Sequence, residues 1–404
     1  MVSLSEQKQD VIRGIMSRAV ESKTLPALFC GITDRNGEIF MHQAGRKIVD
    51  DPTSEPLDED AVFWLCSQTK LITSIAALQL IEQGKIQLST PVSEILPELA
   101  NPIIVTARDA NGKPSATAPA KNPITFGQLL NHTSGMEYNL DGARYTQATK
   151  HAYSKDEDSS TFFRLHQGSF PGELLKFEPG TDFAYGNSTE CVGFIVERLS
   201  GKSLDQYFKD HIFSPLGITF ASFRLTPDLK ERLLPLYIRD SEDKLARWIS
   251  KPPTINQDPE TILHFGGEGL YSSLKDYLAV LRHLLQMKEG TATNPILSGP
   301  SVAAIFEPTL DIPASETLAK MFGLPVGSAQ FSRALMLQTV DLPGRRKKGT
   351  GSWAGWACTS YFVDPEEGLA VVFGTQLIPT DGWDRAYQRL WLEVEEAIYA
   401  GLQK

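Results

Sequence analysis

Ser67 and Lys70 stand three positions apart at the head of the stretch FWLCSQTKLITSIAALQLIEQGK. Helical positions three apart share a face, so a hydroxyl and an amine would project together. Beyond them Leu71, Ile72, Ile75, Ala76, Leu78, Leu80 and Ile81 are apolar almost all round the helix, and Gly84 stands where a C-terminal cap belongs. That is the pattern of a helix buried within a protein. Burial disfavours an ammonium and lowers a lysine pKa. A neutral amine can take the proton of a neighbouring hydroxyl, which would make Ser67 a nucleophile. The N–H groups and positive dipole end of the helix would favour a developing oxyanion. A capping serine followed by a snorkelling lysine would leave the same four letters, so this spacing alone decides nothing.

Two further stretches bear on the choice. Tyr185-Gly186-Asn187 precedes the helical pattern STECVGFIVERLSG, with Asn187 or Ser188 at its N-cap. The Gly-rich segment KKGTGSWAGWACTSYFVDP reads as a turn entering a strand and carries Trp353, Gly355 and Trp356. Taken singly, each is equally what a core tyrosine beside a capping asparagine, or a tight turn with packed tryptophans, would look like.

Together, Ser-x-x-Lys, Tyr-x-Asn and a Gly-bearing strand resemble the serine β-lactamase and penicillin-recognising superfamily. The closer likeness is to its class C branch, which includes esterases and the lovastatin-type fungal acyltransferases. The segments ITFGQLLNHTSGM, FAYGNSTECVGFIVERLSG, FSPLGI and FGGEGLYSSLKDYLAVLRHLL follow in that family's order, so the resemblance spans nearly the whole chain. It implies Ser67 as the acylated nucleophile, Lys70 as its base partner, Tyr185 as the proton shuttle and Asn187 as the motif's asparagine. It also implies an oxyanion hole from the backbone N–H groups of Ser67 and Trp356. The resemblance makes His132, beside Thr133 and Ser134, structural.

The third motif departs from the drug-binding members. They carry Lys-Thr-Gly, whose cation and hydroxyl hold a carboxylate; here Trp353-Ala354-Gly355 stands in its place. An indole cannot pair a carboxylate but can pack an acyl chain. The expected chemistry is therefore acyl transfer from an ester or thioester to a small-molecule alcohol in secondary metabolism, without metal or organic cofactor. Hydrolysis of small esters by the same groups is the alternative. β-Lactam hydrolysis, or a non-catalytic binding protein on this fold, ranks below both. Asn187, Trp353, Gly355 and Tyr138 are expected beside the substrate. The run Arg345-Arg346-Lys347-Lys348 reads as a solvated turn, or as a docking patch for an acidic acyl-carrier domain or coenzyme A thioester.

The elements that must position these residues can be read coarsely. VIRGIMSRA forms one face of an amphipathic helix, and Arg35-Asn36-Gly37 separates two apolar runs as a hairpin turn does. GWACTSYFVD and GLAVVFGTQL read as strands, followed by a closing helix. Strands at both ends with helices between predict an α+β fold: an antiparallel sheet from both termini, with an inserted helical lobe. The expected division is an α/β lobe of about 1–65 and 265–404 and a helical lobe of about 66–264. Residues 101–123 read as an irregular excursion and 225–262 as mostly loop.

The 404 residues carry a net charge of -10, which argues against a nucleic-acid partner. No apolar stretch approaches a membrane span. Cys30, Cys66, Cys191 and Cys358 are dispersed, without metal-ligand or disulfide spacing. Such thiols, and an N-terminus without the apolar core of a signal peptide, point to the cytoplasm.

Overall fold

The computed structural model describes residues 2–138, 140, 143–249, 262–380 and 382–403. Helix α1 (Glu6–Glu21) opens the chain, and strands β1 (Leu28–Thr33) and β2 (Glu38–Ala44) form the first hairpin. Strand β3 (Val62–Trp64) runs through a tight turn at Cys66–Gln68 into helix α2 (Thr69–Glu82). Helices α3 (Arg144–Lys150) and α4 (Ser188–Ser200) follow, then strand β4 (Tyr271–Ser273) and helix α5 (Leu274–Lys288). The last third supplies β5 (Ala329–Phe331), β6 (Met336–Gln338), β7 (Gly351–Gly355), β8 (Thr359–Asp364), β9 (Leu369–Gly374) and helix α6 (Arg385–Tyr399).

The main sheet has the order β5-β6-β7-β8-β9-β1-β2, antiparallel throughout. The N-terminal hairpin thus completes a sheet otherwise made by the C-terminal third, as the strand pattern predicts. Its central strands are near-continuous apolar runs because both faces are covered. Leu28, Cys30, Ile32, Phe362, Val371 and Phe373 face α1 and α6, meeting Ile12, Met16, Val394 and Ile398. Phe29, Tyr361, Val363, Ala370 and Val372 face the other way, into the large core that holds α2, α4 and α5.

One irregularity creates the site. Strand β6 pairs with β7 only at Gly351 and Ser352. Trp353, Ala354 and Gly355 are therefore left without a strand partner on that side among the described residues. Opposite this free edge, a small sheet pins the start of α2. Strand β4 pairs with β3 in the register Tyr271↔Trp64 and with Ala221–Ser222 on its other side.

Two local expectations differ from the structure, and a third, the mostly loop segment 225–262, gains detail. Residues 101–123 contain a hairpin, Ile103–Arg108 with Pro114–Pro119, rather than irregular chain. Its turn is organised by Asp109, whose carboxylate accepts from the N–H groups of Asn111 and Lys113. Asx-type bonding of this kind holds a turn despite the Pro- and Ala-rich surroundings. Within 225–262 lie a short helix, Pro227–Arg232, and the paired strands Tyr237–Arg239 and Leu245–Arg247; residues 250–261 lie outside the described residues. Finally, Ser67 sits in the tight turn before α2, not in the helix itself, because Cys66 adopts φ 48°. Gly84 has φ 68° just past the end of α2, and its N–H donates to the Ile81 carbonyl.

Candidate active site

The turn carrying Ser67 is fixed from below. The Leu65 N–H donates to the Leu270 carbonyl (3.0 Å), and Thr69 Oγ1 donates to the Cys66 carbonyl (2.6 Å) while accepting from the Leu270 N–H (3.1 Å). These bonds hold Cys66 in a left-handed conformation that costs a non-glycine residue about 1 kcal/mol or more. The Cys66 thiol is no rival nucleophile: burial pushes its pKa well up, and the thiolate is the reactive form.

Ser67 Oγ lies 2.7 Å from the Tyr185 hydroxyl, which donates to it, and 3.3 Å from Lys70 Nζ. The Lys70 ammonium also donates to Tyr138 Oη (3.1 Å) and to the Gly267 carbonyl (2.8 Å). Three acceptors for one nitrogen match the three protons of an ammonium. This corrects the expectation of a neutral amine. Burial does push the Lys70 pKa down, but the nearby Tyr185, Glu190 and Glu268, with a hydrogen bond to Tyr185, outweigh it and hold the amine above its usual value. The local sequence shows desolvation alone; the fold adds carboxyl groups from distant segments.

Trp353 and Tyr138 line the cavity beside Ser67, as the sequence suggests, and so does Trp356. Trp353 does more than pack. Its indole Nε1–H donates to Tyr185 Oη (3.3 Å), and its ring meets Tyr185, Phe322 and Phe331 edge-on at 5.2–5.5 Å. Gly355 does not line the cavity. A Cβ there would lie 2.3 Å from the Leu65 carbonyl oxygen, so the glycine lets β7 close against the nucleophile's turn. Asn187 does not line it either. It is 1% exposed, and neither side-chain amide atom has a hydrogen-bond partner among the described residues. It occupies the N-cap position of α4, yet its side chain makes no capping bond.

The His132 side chain is buried. Its ring packs edge-on against Tyr185 (5.1 Å), and burial with the nearby Lys70 charge depresses its pKa to about 3. The basic run is not simply solvated: Arg345 and Arg346 both pair with Glu395 of α6 at 2.8 Å, and that carboxylate is fully buried. Lys348 is exposed.

The cavity, about 520 Å³, runs from Ser67 over the free edge of β7 to Trp383 and to Trp391 on α6. Half of its lining residues are aromatic, and Glu268 and Arg346 are the charged ones. Sequence reasoning missed Tyr145, Glu190 and Glu268. The hydroxyl of Tyr145 is shared between the carboxyl oxygens of Glu190 (2.6 Å) and Glu268 (2.8 Å). A charged residue flanked by glycines in FGGEGLYS was the one signal available.

The chain is 33% identical over 368 residues to acyltransferase calJ of Penicillium decumbens, covering 86% of this chain and 83% of that one. It is 31% identical over 371 residues to lovastatin esterase of Penicillium rubens, covering 88% and 90%. Among solved structures it is similar to unliganded simvastatin synthase (LovD) from Aspergillus terreus, with a TM-score of 0.80 at 26% identity, covering 98% and 99%. No helix of the described residues is long and apolar enough to cross a membrane. The model of the β-lactamase family matches residues 12–394, and the chain belongs to that family.

Proposed function

We propose that this enzyme moves an acyl group from an ester or thioester to a small-molecule alcohol, through an acyl-enzyme on Ser67. The observation that carries the reading is the convergence of Tyr185 Oη and Lys70 Nζ on Ser67 Oγ, at 2.7 and 3.3 Å. Names of relatives agree with acyl transfer, since they include an acyltransferase and an esterase.

In the proposed reaction Tyr185, as phenolate, takes the Ser67 proton. The Lys70 ammonium and the Trp353 N–H offset the negative charge on the phenolate oxygen. Ser67 Oγ attacks the carbonyl carbon, and the N–H groups of Ser67 and Trp356 receive the oxyanion, a contribution of about 3 kcal/mol per donor. The tetrahedral species collapses, the bond to the leaving thiol or alcohol breaks, and Tyr185 returns the proton to it. The acceptor alcohol then enters, gives its proton to Tyr185 and attacks the acyl carbon; as the bond to Ser67 Oγ breaks, Tyr185 passes that proton to Oγ and returns to its starting state.

The aromatic wall suits an apolar acyl chain or a flat acceptor. Trp353 in the third motif, with Glu268 lining the cavity, disfavours a carboxylate-bearing β-lactam. Hydrolysis to the free acid is the second reading, favoured by the 31% identity to an esterase. Incubation with a butyryl thioester and a panel of polyketide-like alcohols separates the two. Ester product supports the transferase; free acid alone, whatever the alcohol, removes it.

A carrier-borne donor remains part of the proposal in reduced form. Arg345 and Arg346 are committed to Glu395, which leaves Lys347 and Lys348 to meet an acidic carrier domain. The double substitution K347E/K348E should raise KM for a carrier-bound donor and leave a small thioester unaffected. Four buried free cysteines fit a cytoplasmic setting.

A further inference from the structure

Beneath Ser67, Lys70 and Tyr185 lies a polar cluster to which the reaction above assigns no task. Glu190, in the first turn of α4, is fully buried, and Glu268 is 7% exposed. The Tyr145 hydroxyl ties the two together. Tyr138 Oη, which accepts from Lys70, donates toward Glu190 Oε1 over 3.5 Å. The backbone is shaped for this arrangement: a Cβ at position 267 would lie 2.2 Å from Glu190 Oε1. Only glycine lets that carboxyl sit under the carbonyl that Lys70 contacts.

Two carboxyls held out of water are costly without a compensating cation. Glu190 Oε2 has no hydrogen-bond partner among the described residues. The groups around Lys70 come from several segments: Cys66 and Ser67 from its own turn, His132 and Tyr138 from the chain between Leu130 and α3, Tyr185 from the lead into α4, Glu190 from α4 and Glu268 from the lead into β4. Burial keeps the Cys66 thiol and the Tyr138 phenol protonated, and His132 is neutral. Beside Tyr185, which belongs to the reacting trio, Glu190 and Glu268 are then the groups that favour the Lys70 ammonium.

We propose that Glu190 and Glu268 are positioning residues for acyl transfer: joined through Tyr145 and reaching Lys70 through Tyr138, they supply the counter-charge that fixes Lys70 as an ammonium and so leaves Tyr185 to act as the base. This rests on the Ser67 acyl-enzyme reading. It differs from a merely structural role by the direction in which a pH profile moves. An active Lys70 ammonium is lost as pH rises through its pKa, and removing a counter-charge lowers that pKa. The alkaline limb of activity then moves to lower pH. Were Lys70 a neutral base, the same change would move the acidic limb down and raise activity at low pH.

The test uses Glu190→Gln, which keeps the shape and the oxygen that Tyr145 contacts. The pH profile of kcat/KM with a p-nitrophenyl ester is the readout, with circular dichroism to check folding. The expected result is an alkaline limb lower by about one pH unit, with KM within twofold, because Glu190 does not line the cavity. Tyr145→Phe, which keeps both carboxyls but unties them, should move the same limb less, and it decides the matter should Glu190→Gln not fold. An unchanged profile in whichever variant folds overturns the proposal, as does a shift of the acidic limb. Fluorophosphonate labelling of the unmodified enzyme keeps the two readings apart. If Ser67 is not labelled, the acyl-enzyme itself fails; if it is labelled and the profile is fixed, only the positioning role fails.

Discussion

The floor and the wall of the cavity are built on opposite principles. The floor is Lys70, Tyr138, Tyr145, Glu190 and Glu268, a buried network joined by hydrogen bonds of 2.6 to 3.5 Å. The wall is aromatic, including Phe322, Trp353, Trp356, Trp383 and Trp391, and the Phe322–Trp353 contact is edge-on. In a floor of charges each displaced group leaves another unpaired, so errors are expensive. A wall of rings makes many weak contacts and tolerates exchange. On the proposed function, chemistry belongs to the floor and recognition to the wall. Trp353 bridges the two, since its N–H reaches Tyr185 while its ring packs.

Substitutions should break that contrast in graded fashion. Ser67→Ala removes the nucleophile and should cost roughly 10⁶-fold in kcat, measured as ester release from an activated substrate. Tyr185→Phe keeps the ring packing but not the proton transfer, and should cost roughly 10³-fold in kcat with KM little changed. Trp353→Phe should fall between the two regions. It preserves most of the aromatic contact and loses the N–H to Tyr185, so kcat falls about tenfold while selectivity for acyl length is retained. Equal losses in kcat and selectivity would place Trp353 in the wall alone. Glu395→Gln sharpens the contrast from outside the floor. This buried carboxylate also balances cations, Arg345 and Arg346, but only the Arg346 side of the pair touches the cavity. Unfolding by urea should show a loss of about 2 kcal/mol, reduced from the full buried-pair value because both arginines are partly solvated. Turnover of a small ester should be nearly unchanged.

What could be read from the sequence follows the same division. Ser67 and Lys70 announce themselves by spacing, and Tyr185 and Trp353 by motifs that carry their neighbours with them. The strands of the main sheet are legible because runs such as GLAVVFGT are apolar on both faces. The protonation of Lys70 is not legible in the same way. A local pattern reports how dry a helix is, but Glu190 and Glu268 reach Lys70 only through tertiary folding, from α4 and from the lead into β4. An acid in a helix's first turn reads as a dipole partner until its neighbours are known. The hairpin at 103–119 was hidden for a different reason. Its residues are partly exposed and poor in β-branched side chains after Thr106, so strand formation there depends on the Asp109 turn and on the parallel neighbour Leu174–Leu175.

The account stands on an acyl group resting on Ser67 between donor and acceptor. Rapid mixing with an activated ester, acid quenching and intact-protein mass spectrometry test that directly. The predicted result is an adduct of one acyl group on the Ser67 peptide within the first turnover, absent from Ser67→Ala and discharged faster when an alcohol is added. Turnover that persists in Ser67→Ala, or an adduct found on another residue, would contradict it.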